Sequence, residues 1–179
     1  QQPFKYGVDF VFHSTTKFLN GHGTAIGGVI VGKDIDFMYG RMQKVHRLLG
    51  GNSNPVDAFL LTQGMKTLEV RMERHCANAL KVAAFLEQNI SVRKVNYLGL
   101  ASHPDYATAK KQMSHPGAML SFELEDGLEA GKKFINKLEM CVRAVSLGTC
   151  DTLLSPPASM TPFGVPTSVE RRLGESVRS

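Results

Sequence analysis

Residues 7–28 read GVDFVFHSTTKFLNGHGTAIGG, and the rest of the chain is interpreted from this stretch. The apolar run Val8 to Phe12 predicts a short strand, and the polar residues 13–17 after it predict a turn. Glycines and a second apolar run, Ile26 to Val31, follow. Such runs are expected of strands buried on both faces of a mainly parallel sheet. The turn then presents Lys17 where a buried strand ends, and desolvation there can make its amine a nucleophile.

The remainder of the chain alternates helical and strand patterns. Asn54 followed by Pro55 is typical of a helix start, and the helical pattern runs to residue 88 with a break expected near Gly64. The predicted elements after it are a strand at 91–97, a helix at 107–113, a strand at 118–124, a helix at 128–138 and a strand at 140–147. This order predicts a small α/β domain. The apolar face of the long helical pattern comprises Ala58, Leu61, Met65, Leu68, Met72, Cys76, Ala79, Ala83 and Leu86.

The composition is that of a folded protein. The 179-residue chain is 42% hydrophobic and 21% charged, which excludes a disordered class. No apolar run approaches the roughly 20 residues that cross a bilayer. The first residues, QQPFKYG, lack the apolar region of a signal peptide. We therefore expect a cytoplasmic protein without a membrane partner, and the abrupt ends suggest a piece of a longer protein.

Cysteine and charge patterns exclude further classes. Cys76, Cys141 and Cys150 show no CxxC spacing and no nearby histidine at metal-ligand spacing, so we expect reduced thiols and no metal site. The formal net charge is +5, but basic and acidic residues are mixed along the chain, which argues against a nucleic-acid partner. A basic excess suits small anionic ligands.

Residues 14–17 and 20–23 carry a specific resemblance. Ser-x-Thr-Lys followed by Asn-Gly-His-Gly resembles the pyridoxal-phosphate lysine motif of the Cys/Met metabolism enzymes. Other segments resemble the same family in the same order: QQPFKYG, MKTLEVRMERHCANALKVAAFLE, GLASHP, HPGAMLSFEL, GLEAGKKFINKLE, AVSLG and PASMT. The resemblance covers residues 1–162 and, less closely, the rest of the chain.

The resemblance implies a fold and a domain organisation. The expected fold is α/β, of the fold-type I class of pyridoxal-phosphate-dependent transferases, similar to aspartate aminotransferase. Residues 1–66 would form the end of the large cofactor-binding domain, and residues 67–179 the small C-terminal α/β domain. The first part of the large domain would lie upstream of this sequence.

The resemblance also assigns site residues. Lys17 would bind pyridoxal phosphate covalently and act as the catalytic base, while the hydroxyls of Ser14 and Thr16 would bind the phosphate. Ser146, in AVSLG, would help to hold the substrate carboxylate through its backbone. Arg178 would bind that carboxylate, since guanidinium suits bidentate recognition.

The resemblance further implies a reaction on a small sulfur amino acid. Within the family, the chain resembles methionine γ-lyases most, which would eliminate the γ-thiol of methionine to give methanethiol, 2-oxobutanoate and ammonia. Val145 supports this choice, because cystathionine-processing relatives usually place a glutamate there. Cystathionine γ-lyase, cystathionine γ-synthase and O-acyl-homoserine sulfhydrylase activities stay open.

A non-catalytic alternative stays open as well. The family works as tetramers of close dimers, so we expect a homo-oligomer. The ring-stacking tyrosine, the carboxylate for the pyridine nitrogen and the residues donated by a neighbouring subunit all belong upstream in the family. The chain alone would then lack a complete active site, and it could be a truncated subunit or a pseudoenzyme.

Overall fold

The computed structural model describes residues 1–156, which pack into two compact units. The first unit comprises Gln1–Glu73, Lys111–Ser114 and Gly148–Cys150. The second comprises Arg74–Lys110, His115–Leu147 and, of the described residues, 151–156. The domain division predicted after residue 66 stays a prediction.

The first unit opens with a two-stranded ribbon. A 3-10 turn, Pro3–Tyr6, leads into β1, Phe10–Ser14, which pairs with β2, Gly28–Gly32. The pairing is antiparallel, with Phe10 opposite Gly32 and Ser14 opposite Gly28. The mainly parallel sheet that the sequence predicts therefore does not extend to this pair of strands. Residues 15–27, which join them, hold a turn and a loop but no crossover helix, so the chain returns antiparallel.

The ribbon is also more exposed than the sequence predicts. Phe12 is 80% exposed, and every residue of β2 except Gly32 is exposed. Phe10 contacts Phe37 with a ring-centroid distance of 5.3 Å. The expectation of strands buried on both faces is wrong in this chain. Runs rich in Val, Ile and Phe favour burial, but they do not determine which other part of the protein packs over the strands.

Helices fill the rest of the first unit. α1, Ile35–Phe37, continues through a π-helical turn, Met38–Met42, into α2, Gln43–Leu49. α3, Pro55–Met65, begins as predicted, with the Asn54 side chain accepting a hydrogen bond from the Asp57 amide. α4, Leu68–Glu87, follows after two residues, which confirms the break expected near Gly64, and only its part up to Glu73 belongs to the first unit.

The apolar face predicted along these helices is buried only in part. Cys76, Ala79 and Ala83 are buried in α4, whereas Ala58 and Met65 are exposed in α3, where the prediction is wrong. The break explains this result. Because α3 and α4 have separate axes, the apolar residues of the two helices do not form one continuous face.

The second unit carries the predicted order of strands and helices. β3, Val92–Asn96, pairs antiparallel with β4, Ser121–Leu124, and α5, Tyr106–Gln112, and α6, Gly127–Asn136, follow the predicted positions. The strand expected at 140–147 is confined to β5, Val142–Arg143, which pairs parallel with β6, Leu153–Leu154. Ala79, Ala83, Tyr97 and Leu100 form its core cluster. Within residues 1–156, no helix is long and apolar enough to cross a membrane.

Candidate functional site

Lys17 lies in a π-helical turn, Thr15–Leu19, that follows β1 directly. Its backbone is non-helical, with φ −94° and ψ −132°, and its side chain is half-buried. The Asn20 amide donates to Thr15 O at 3.1 Å and the Gly21 amide donates to Lys17 O at 2.8 Å. Single π-helical turns are rare in proteins, and many of those that occur lie at functional sites. Lys17 is thus an amine on a hydrogen-bonded backbone rather than on a free loop.

Thr16 ties this turn to the start of β2. Its Oγ1 accepts a hydrogen bond from the Gly27 amide at 3.0 Å, and Gly27 O, the acceptor for its own hydrogen, is 3.4 Å away. The Thr15 amide donates to Gly27 O at 2.9 Å. Because the bond that Thr16 donates is long, its hydroxyl can turn to another acceptor without breaking the bond that it accepts.

Ser14 has a different environment. It is the last residue of β1, its side chain is exposed, and it makes no capping hydrogen bond to the turn. Ser14 has a donor available for an external anion.

Asn20 organises the loop after Lys17, a role that the motif alone did not reveal. The side chain is 1% exposed, and its Oδ1 accepts from the His22 amide at 3.1 Å and from Thr24 Oγ1 at 3.1 Å. His22 Nδ1 donates to Asn20 O at 2.7 Å. This bond orients the His22 ring towards the loop backbone, and His13 is exposed on β1.

Gly148 packs against the backbone of the lysine turn. Its φ is +85°, and a Cβ there would lie 2.6 Å from Phe18 N and 2.9 Å from Lys17 C. Two residues later, Cys150 Sγ lies 3.4 Å from Gly21 O. The glycine of the Ser-Leu-Gly run is thus required at this position, because any side chain would displace the Lys17–Phe18 peptide.

The structure also shows where the remaining predicted site residues lie. Ser146 belongs to the second unit, between β5 and β6, and is exposed. Arg178 lies outside the described residues. Their roles stay predictions. Among residues 1–156, no group of three or more His, Cys, Asp or Glu side chains is placed to hold a metal ion.

Lys17 and the hydroxyl side chains next to it fit the aldehyde and the phosphate of pyridoxal phosphate, which are the groups that the sequence predicts they bind. The cofactor requires a lysine amine on a fixed backbone and neutral donors for its phosphate. Lys17 provides the first. Ser14, which is exposed, and Thr16, with its long donated bond, provide the second.

Comparisons with known proteins identify the family. A family model described as Cys/Met metabolism PLP-dependent enzyme matches residues 1–177. An L-methionine gamma-lyase of Porphyromonas gingivalis is 51% identical over 160 residues, which cover 89% of this chain and 40% of the relative. A cystathionine beta-lyase of Coxiella burnetii is 41% identical over 174 residues, which cover 97% of this chain and 45% of the relative.

A solved structure of a related enzyme has the same fold. The crystal structure of a cystathionine gamma synthase from Xanthomonas oryzae pv. oryzae, in complex with aminoacrylate and cysteine, matches with a TM-score of 0.93 at 38% identity. The match covers 99% of this chain and 46% of that chain. The present chain therefore spans less than half the length of these relatives.

Proposed function

Because the chain belongs to the Cys/Met metabolism family of pyridoxal-phosphate-dependent enzymes, with a fold-type I architecture, we propose that it carries the lysine half of a carbon–sulfur lyase site. The proposed reaction is γ-elimination from methionine, which releases methanethiol, followed by hydrolysis with one water molecule, which gives 2-oxobutanoate and ammonia. The observation that carries this proposal is the position of Lys17, on a hydrogen-bonded π turn between two hydroxyl side chains and the glycine loop.

Each residue of the turn has a distinct task in this proposal. Bound pyridoxal phosphate supplies an electron sink for the negative charge that develops at the substrate Cα. Lys17 removes the Cα proton, carries protons between Cα and Cβ, and so prepares the γ-thiol to leave. Ser14 and Thr16 donate hydrogen bonds to the phosphate. We further propose that Ser146 and Arg178 hold the substrate carboxylate, on the strength of the resemblance.

Val145 supports methionine over cystathionine as the substrate. It is apolar and 71% exposed, so it offers a contact for a thioether methyl group and no charge for a distal ammonium. The 51% identity to an L-methionine gamma-lyase favours the same choice. Cystathionine γ-lyase, cystathionine γ-synthase or O-acyl-homoserine sulfhydrylase activity is the alternative, since cystathionine enzymes are also similar. Headspace methanethiol from methionine, measured against 2-oxo acid release from cystathionine, separates the two.

The test of the proposal targets Lys17. The purified chain is loaded with pyridoxal phosphate, reduced with borohydride and digested, and the modified lysine is identified by mass spectrometry. We expect the label on Lys17 and loss of the cofactor's protein-bound visible absorbance in Lys17→Ala. Lys44→Ala, at an exposed position in α2, is the matched control and should keep both. A Lys17→Ala variant with undiminished absorbance and activity would refute the proposal.

A second candidate function is non-catalytic: a subunit piece or a pseudoenzyme that associates with longer copies. The family resemblance implies this alternative, because family members hold the cofactor ring with residues outside the segments that this sequence matches. In that case the chain alone gives no cofactor absorbance and releases no methanethiol. Adding a full-length family member would then leave the chain in a mixed oligomer, detectable by native mass spectrometry.

The setting is proposed on the same basis. We propose a cytoplasmic homo-oligomer, a tetramer of close dimers, that acts on small sulfur amino acids without a nucleic-acid or membrane partner. Sedimentation analysis of the loaded protein tests the assembly, and a monomer would contradict it.

A further inference from the structure

Arg71 is a buried cation in the first turn of α4. The residue is 9% exposed. Its Nη1 donates to Phe18 O at 2.9 Å, its Nη2 donates to Gly64 O at 2.7 Å, and its Nε donates to Thr67 Oγ1 at 3.0 Å. All three nitrogens of the guanidinium group are therefore used, and two of them bind main-chain carbonyls that belong to different parts of the first unit.

The charge of this guanidinium is balanced by dipoles. In the part of the chain that the structure describes, the ion pairs are Arg93–Glu123 and Lys132–Glu129, so Arg71 has no carboxylate there. The Gly64 carbonyl belongs to the last turn of α3, where the helix dipole places partial negative charge. Burying a cation is costly unless its donors are satisfied, and here the carbonyls satisfy them.

The Phe18 carbonyl links Arg71 to the lysine turn. Phe18 follows Lys17 directly, so its carbonyl belongs to the next peptide group. Lys17 has non-helical dihedrals within the π turn, and Gly148 packs against the peptide that joins Lys17 to Phe18. The peptide groups on both sides of Phe18 are thus held by contacts from outside the turn, one of them from Arg71.

We propose that Arg71 is a positioning residue that fixes the direction in which Lys17 presents its amine. The chemical consequence rests on the proposed function, whereas the geometric consequence does not. A lysine at residue 71 would keep the charge but not the fork of donors that reaches Phe18 O and Gly64 O together. The pairing of a buried arginine with these two carbonyls is therefore specific to arginine.

The experiment uses Arg71→Lys, with Arg74→Lys as the matched control, since Arg74 lies in the same helix and is exposed. Hydrogen exchange is measured at the Asn20 and Gly21 amides, which donate within the lysine turn. In Arg71→Lys we expect exchange there to become about tenfold faster or more, because hydrogen bonds from a charged donor are lost. Exchange in β3 and β4 should not change, and Arg74→Lys should match the parent at every site.

A second variant and a second readout complete the test. Thr67→Val keeps the arginine but removes the acceptor of Nε and the hydrogen bond that the Thr67 hydroxyl donates to Gly64 O at 3.2 Å. Both carbonyl contacts of Arg71 remain, so this variant should speed exchange at Gly21 by a smaller factor than Arg71→Lys. Borohydride trapping of pyridoxal phosphate at Lys17, relative to other lysines, should fall about tenfold in Arg71→Lys.

The outcomes separate the two proposals. Unchanged exchange at Asn20 and Gly21 in Arg71→Lys overturns the positioning role, and so does faster exchange spread equally over β3 and β4. If exchange responds as expected but the parent chain shows no trapping at Lys17, the positioning role holds and the proposed function fails. If exchange responds and trapping at Lys17 falls, both hold.

Discussion

The main chain of Gly64 lies against the carbonyl group of Asn20. A Cβ at residue 64 would be 2.0 Å from Asn20 O and 2.8 Å from the carbonyl carbon. Asn20 closes the turn that carries Lys17. Helix α3 can therefore pack against this turn only because residue 64 has no side chain.

Gly64→Ala should therefore destabilise the first unit. Backbone atoms at 2.0 Å cannot rotate away as a side chain can, so we expect a loss at or above the upper end of the ~1–3 kcal/mol that overpacking costs. Urea unfolding measures this loss. Gly131→Ala in α6 is the control, because a Cβ there meets nothing within 4 Å, and it should gain roughly 0.5–1 kcal/mol. Equal unfolding free energies for the two variants would contradict the close approach.

Gly148→Ala should reduce the reactivity of Lys17 more than it reduces overall stability. The positive φ of +85° adds strain. The new Cβ would lie 2.6 Å from Phe18 N, so the Lys17–Phe18 peptide would have to move away from it. Gly7→Ala isolates the first effect, because Gly7 has φ +82° and a Cβ there meets nothing within 4 Å. Trapping of pyridoxal phosphate on Lys17 should fall only in Gly148→Ala. A similar fall in both variants would assign the effect to backbone strain alone.

Local patterns in the sequence were enough to locate the elements that bear the site. Asn54 and Pro55 start α3 as predicted, the break near Gly64 is present, and Lys17 follows a strand. The family, the fold class and the cofactor predicted from the Ser-x-Thr-Lys motif are confirmed by the match over residues 1–177 and by the superposition. These features depend on neighbouring residues, which the chain order shows directly.

Long-range contacts could not be predicted in the same way. Arg71 and Phe18 are 53 positions apart, and in the sequence Arg71 is one of several charges on an amphipathic helix. The antiparallel pairing of β1 with β2 was missed because apolar content does not set strand direction. The one feature of the sequence that indicates burial of Arg71 is its position beside Met72, near the apolar side of the helix. This indication is weak, because arginine is rarely buried.

Ser14→Ala and Thr16→Val should separate cofactor binding from stability. Ser14 makes no cap hydrogen bond, so Ser14→Ala should leave the unfolding free energy within ~0.5 kcal/mol and weaken cofactor binding about tenfold. Thr16→Val also removes the acceptor of the Gly27 amide, which should cost a further ~1 kcal/mol of stability. Thermal unfolding and titration with pyridoxal phosphate measure the two effects.

Thr62→Val provides the control for these hydroxyl substitutions. Its hydroxyl donates to Ala58 O on an exposed helix surface, away from the lysine turn in the chain. Cofactor binding should not change in this variant. The phosphate role would be refuted if Ser14→Ala and Thr16→Val bound the cofactor as tightly as Thr62→Val.

Tyr97 should make the protein's stability fall at alkaline pH. The residue is 1% exposed, and its hydroxyl donates to Gly117 O at 2.9 Å and lies 3.4 Å from Cys76 O. Burial raises the pKa of the Tyr97 phenol above its ordinary value of 10.0, and the electrostatic interaction with nearby Cys76 raises it further. The folded protein therefore keeps the phenol proton at a pH at which the unfolded chain begins to lose it.

The sign of the effect follows from this difference. Below pH ~10 both states hold the proton and the stabilisation by Tyr97 is fully present, and it is lost as the pH rises towards the folded-state pKa. Tyr97→Phe should cost ~1 kcal/mol at pH 8 through the lost hydrogen bond. The difference from the parent should then shrink as the pH rises from 8 to 11, as measured by urea unfolding at each pH. A difference that stays constant over this range would show that the folded state gives the phenol no protection from ionisation.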